Sequence, residues 1–149
     1  LPIYLATETG LPVIIHSREA AQDTFDEMQR AAARGIGGVI HCFSSGAELA
    51  RRYTDLGFYI GIGGVVTFKN GKKMKEVAEA VPLTSILLET DSPYLSPEPR
   101  RGKRNDSRNL PYIAQEIARI KGIPEEEVRR VTEENALRCF PKLADREVC

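Results

Sequence analysis

The chain has 149 residues, 21 Lys+Arg balanced by 21 Asp+Glu, with 42% hydrophobic and 28% charged residues. That length suits one domain with a real core. Zero net charge excludes attachment to nucleic acid or membrane through bulk charge, and no run of about 18 apolar residues is present to span a bilayer.

Ile3 to Gly10 reads as the closing turns of a helix stopped by Gly10. A chain already helical near Leu1 is expected to be the tail of something longer. Leu11-Pro12-Val13-Ile14-Ile15 is a short apolar run rich in β-branched residues, the first of four. After Ser17, the residues Ala21, Phe25, Met28 and Ala32 fall at helical spacing up to Gly35. Gly37-Gly38-Val39-Ile40 is the second run. Ser45-Gly46-Ala47-Glu48 has the form of a capping box and opens a helix with Leu49, Ala50 and Tyr53 inward, ended by Gly57. Phe58-Tyr59-Ile60-Gly61-Ile62 is the third run, followed by a helix over Lys72 to Ala80. Ser85-Ile86-Leu87-Leu88 is the fourth. Leu110, Ile113, Ala114, Ile117 and Ile120 form a strong stripe with Pro111 in the first turn and Gly122 past the last. A final helix starts at Pro124 with three acids in its first turn and runs to about Phe140.

The four runs are continuously apolar rather than alternating, as strands buried on both faces are. Alternation of such strands with helices means α/β with a parallel sheet. An open doubly wound sheet and half of a (β/α)8 barrel both fit. Four units in 149 residues match half of a barrel of roughly 250 residues.

The two histidines of the chain follow strand runs directly: His16 after Ile15, His41 after Ile40. The fourth run leads into Glu89-Thr90-Asp91. In a barrel the C-terminal strand ends meet on one face, where active sites lie. Two imidazoles and a carboxylate converging there are ligands for a catalytic divalent ion. Cys42, beside His41, is read as a buried structural thiol, turned away if the strand continues. The three cysteines, Cys42, Cys139 and Cys149, form no disulfide framework, so a reducing, cytoplasmic location is expected.

A Pro-rich loop from Ser92 to Pro99 runs into a segment in which five of the nine residues from 100 to 108 are basic. Tethered so close to Asp91, these cations are expected near the same face. A metal with Arg, Lys and Asn beside it suits hydrolysis of a phosphodiester. Gly61-Ile62-Gly63-Gly64 lacks the spacing of a nucleotide-binding loop and reads as tight backbone packing at a strand end. Asn135 reads as a hydrogen-bonding residue between its helix and a loop.

These segments resemble the TatD family of metal-dependent deoxyribonucleases, within the amidohydrolase superfamily. The resemblance rests on LPVIIHSREA at 11–20, GVIHCFS at 38–44, YIGIGG at 59–64, LLETDSPYL at 87–95, RGKRN at 101–105 and TEENA at 132–136. It implies a distorted (β/α)8 barrel with one or two divalent ions on its C-terminal face; Mg, Mn, Zn and Ni are not distinguished. Carried onto these positions, His16, His41 and Asp91 would ligate metal. Asp91 would also orient or deprotonate the attacking water, and Glu89 would assist. Arg101, Arg104 and Asn105 are candidates for contact with substrate phosphate. The family's His-x-His pair and a further Glu are absent and are expected upstream of Leu1, so the chain is expected to form strands five to eight as a single partial domain. Pro2 replaces a usual Gln, and Ser107 stands where Pro is common.

The resemblance implies a deoxyribonuclease removing nucleotides from a DNA 3′ end in the intact protein, with this chain weak or inactive alone. A homodimer through the exposed half-barrel surface is also expected. The alternatives are another metallohydrolase on the same scaffold, such as a D-aminoacyl-tRNA deacylase, or a non-catalytic remnant that binds nucleic acid or self-associates.

Overall fold

A computed structural model describes residues 2–143. Leu1 and Cys149 lie outside the described residues. Four strands form one parallel sheet in chain order: β1 (Val13–His16), β2 (Gly38–His41), β3 (Tyr59–Ile62) and β4 (Ile86–Leu88). Six helices accompany them: α1 (Pro2–Thr9), α2 (Ala21–Ala32), α3 (Ala47–Asp55), α4 (Lys72–Ala80), α5 (Leu110–Lys121) and α6 (Glu125–Cys139). The parallel α/β reading of the sequence is what the molecule shows.

Side chains alternate across a strand, so each run serves two faces. Val13, Ile40, Ile60, Ile62 and Ile86 point to the helices and share one core with Phe25, Met28, Tyr53, Val77, Ile113, Ile117 and Val128. Each side chain fully buried there stabilises the fold by roughly 1.5–3 kcal/mol. The opposite face carries Val39 and Leu87, covered by Cys139 with Tyr59, Ala136 and Phe140 packed around them. The end of α6 thus caps that face below the strand ends. Ile14 on edge strand β1 shares this face and remains 65% exposed.

Helix boundaries follow local chemistry. Gly122 ends α5 with φ of 66°, the left-handed conformation that glycine adopts at little cost. The expected capping box at 45–48 does not form. Helix α3 begins at Ala47 with Gly46 as its N-cap residue and no side-chain cap bond. The helix starts one residue late for Ser45 to cap it, although Glu48 keeps a favourable place in the first turn. Asn135, fully buried in α6, donates from Nδ2 to the carbonyls of Leu83 and Ile86, both at 2.8 Å. That is the helix-to-loop role expected for it. Among the described residues no helix is long and apolar enough to cross a membrane.

Candidate functional site

Parallel pairing of β1 with β2 sets His16 directly beside His41. Their ring centroids are 6.1 Å apart. Strand β4 stops at Leu88, and the chain continues through Glu89 and Thr90 to Asp91, whose φ of 54° is uncommon for a non-glycine residue. His41 Nε2 lies 3.5 Å from Asp91 Oδ1, while His41 Nδ1 is hydrogen-bonded to Glu89 Oε2 at 2.7 Å.

His41 and Glu89 belong to chain segments separated by β3. They meet because Gly61 on β3 has no side chain: a Cβ there would stand 2.5 Å from Glu89 Oε2. The sequence marks Gly61 as a tight-packing residue and gives no sign of what packs there. Gly64 also supports the site, since a Cβ at that position would lie 2.1 Å from the Leu95 carbonyl in the loop after Asp91.

Glu89 is only 16% exposed, and its Oε1 is buried without a hydrogen-bond partner. Burial pushes its carboxyl above the ordinary value. The charge of His41, its hydrogen bond and the Cys42 backbone amide pull the other way, and Asp91 adds to the rise. Cys42 departs from expectation. The strand ends at His41, Cys42 turns to a φ of 47°, and its thiol is half-buried rather than packed away. Burial first, then the negative charges of Glu89 and Asp91, push that thiol up to about 11, so it stays protonated near neutral pH. A nucleophilic role does not suit it.

The donors fit a divalent ion in kind. A carboxylate holding one imidazole nitrogen, with the other facing a second carboxylate, is a common way to orient a metal-binding histidine. The orphaned Glu89 Oε1 shows that a polar occupant is wanted nearby. They do not suffice in number. Among the described residues no three His, Cys, Asp or Glu side chains gather closely enough to enclose an ion. His16 and His41 are adjacent and His41 faces Asp91, so the chain presents part of a ligand set.

The three residues expected to contact phosphate separate into different roles. Asn105 is corrected: it is 1% exposed and points inward. Its Nδ2 donates to the carbonyls of Thr90 at 2.8 Å and Tyr94 at 2.7 Å. Its Oδ1 accepts from the Asp106 amide and from Asn109 Nδ2. With its hydrogen-bonding capacity used inside the loop, it positions the segment instead of touching a ligand. Arg101 lies with its guanidinium 3.8 Å over the Phe68 ring, an interaction that packs the loop. Arg104 is exposed and lines a polar cavity with Arg100, Lys103 and Arg108.

Residues 2–141 match the family described as TatD related DNase. A Bacillus subtilis protein named uncharacterized metal-dependent hydrolase YabD is 46% identical over 138 residues, covering 93% of this chain and 54% of that protein. The human protein named deoxyribonuclease TATDN3 is 40% identical over 141 residues, 95% of this chain and 49% of its own. The crystal structure of YJJV, a TatD homologue from Escherichia coli K12, superposes with a TM-score of 0.86 at 29% identity, covering 93% of this chain and 53% of that one. A TatD-family hydrolase from Entamoeba histolytica shares the fold, with a TM-score of 0.78 at 22% identity over 93% of this chain and 54% of that one. The chain spans about half the length of the curated relatives it matches. Its four strand–helix units thus correspond to half of a barrel.

Proposed function

The chain belongs to the family of TatD-related DNases, and from that premise we propose that it carries part of a divalent-metal-dependent site hydrolysing DNA phosphodiesters. The observation that carries this reading is the His41 imidazole, held at Nδ1 by Glu89 and facing Asp91 through Nε2.

His16, His41 and Asp91 are the residues that would hold the ion. When bound, it would supply Lewis-acid polarisation of a phosphoryl oxygen and acidify water. Glu89 accepts a hydrogen bond from His41 Nδ1–H, which would leave the Nε2 lone pair available to the ion. The Asp91 carboxylate orients the attacking water and accepts its proton. Arg104 and its neighbours stabilise negative charge on the strand. Support for DNA as substrate comes from the family description and from the printed name of the human relative. Removal of nucleotides from the 3′ end is the finer form of the reading and rests on the family resemblance. The incomplete ligand set supports weak metal binding and little turnover by this chain alone.

That same incompleteness favours a second reading, a chain that binds nucleic acid without cutting it. The deciding experiment pairs Mn2+ titration with digestion of 5′-labelled single-stranded DNA. The nuclease reading expects metal binding lost in His41→Ala, and chelator-sensitive shortening from the 3′ end. Absence of both metal binding and cleavage overturns it in favour of the second reading.

A further inference from the structure

Beyond the His41 centre, the loop after Asp91 and the start of α5 enclose a separate cavity of about 310 Å³. Arg100, Lys103, Arg104 and Arg108 line it, with Asp106 as its one acid and Tyr112 on its wall. Asp106 is already occupied: Arg108 grips its two carboxylate oxygens at 3.0 and 2.7 Å. Among the described residues the side chains of Arg100, Lys103 and Arg104 make no ion pair and no hydrogen bond, and all three are exposed. Three uncommitted cations around one hollow, in a chain of zero net charge, repel one another unless an anion joins them. Tyr112 is half-buried on α5 and supplies an aromatic wall to the same hollow.

This cavity is joined to the centre by one buried amide. Asn105 holds the Thr90 carbonyl, next to Asp91, and on its other side holds the Asp106 amide and the Asn109 side chain. The backbone that carries these cations is therefore held relative to the end of β4. Cations that track a backbone beside an aromatic ring are the means by which proteins hold single-stranded nucleic acid.

We propose that this cavity is an anchoring subsite for single-stranded DNA, in which Arg100, Lys103 and Arg104 hold a backbone phosphate away from the bond being cut and Tyr112 supports the adjoining base. The choice of DNA rests on the nuclease reading above; the phosphate anchoring rests on the cavity itself.

The test measures anisotropy of a labelled single-stranded deoxyoligonucleotide with the protein in excess chelator, over a series of salt concentrations. The triple variant Arg100→Ala, Lys103→Ala, Arg104→Ala is expected to bind about 10- to 100-fold more weakly. Its salt slope should flatten by about 0.7 for each phosphate contact removed. Tyr112→Leu should weaken binding about 10-fold with the slope retained. Arg34→Ala removes charge beside the start of β2, at the opposite end of the parallel sheet from this loop, and should change affinity by less than about 3-fold. Unchanged affinity and slope in the triple variant overturn the proposal. So does an equal loss in the Arg34 variant, which would mean unlocalised attraction. The single variant Lys103→Ala, with a several-fold loss expected, guards against misfolding of the triple. His41→Ala separates the two readings: it should bind DNA as the parent does while losing metal, so failure of metal chemistry leaves the anchor standing.

Discussion

His41 Nδ1 and Glu89 Oε2 lie 2.7 Å apart over a strand that belongs to neither residue. The contact fixes which imidazole nitrogen is free, because Glu89 accepts the hydrogen bond of Nδ1–H on one side and leaves the Nε2 lone pair on the other. Glu89→Gln retains size and a hydrogen-bonding group but removes the charge that raises imidazole basicity. Affinity for Mn2+ or Zn2+, measured by calorimetry, should fall about 10- to 100-fold. Unchanged affinity would show that His41 needs no carboxylate behind it.

Gly61→Ala should reproduce much of that loss without altering a polar group. The added methyl would stand 2.5 Å from Glu89 Oε2 and 3.1 Å from the Ile40 carbonyl. The flexible carboxylate yields before the backbone does, so the His41 contact opens. In a double-mutant cycle the Gly61 substitution should cost far less metal affinity on a Glu89→Ala background than on the parent. Equal costs would mean that the methyl acts elsewhere.

Asp106 gives a pH signature. Hydrogen bonds from the Arg108 side chain and backbone, with the Arg108 and Arg100 charges, hold its carboxyl down to about 2 from an ordinary 3.8. A folded value below the unfolded one means that the ionised form favours the folded state. That contribution is present above the unfolded value and is lost as pH falls through the folded one. The difference in melting midpoint between the parent and Asp106→Asn should thus be constant above about pH 5 and shrink toward pH 2. A difference that stays level over that range would remove Arg108 as the cause.

Asn135→Ala should be among the most destabilising single changes. The side chain is fully buried and serves two carbonyls at the entrance to β4. Truncation leaves both without their donor and opens a small void, for a cost of roughly 2–4 kcal/mol in urea unfolding. A cost below about 1 kcal/mol would mean that water replaces the amide readily.

The sheet was legible because continuous apolar runs have few other uses, and the glycines and prolines around them mark the turns. His16 and His41 stood out for the same reason, as polar residues at the ends of apolar strands. The inward role of Asn105 is hidden in the sequence because its neighbours in the chain are basic, whereas its partners at Thr90 and Asn109 are brought to it by folding. The purpose of Gly61 was equally hidden, since it depends on a carboxylate that arrives 28 positions later. Ser45 failed as a cap by a single residue of helix phase, a scale on which local patterns do not decide.

Strand order has a kinetic consequence. Among the described residues each strand pairs only with its neighbours in chain order. For these three pairings no strand waits for a distant stretch to be synthesised, and loop-closure entropy stays modest at each. A ribosome releasing these units in turn lets each new strand add to an edge already in place, with the freshest edge always the one most prone to stray pairing.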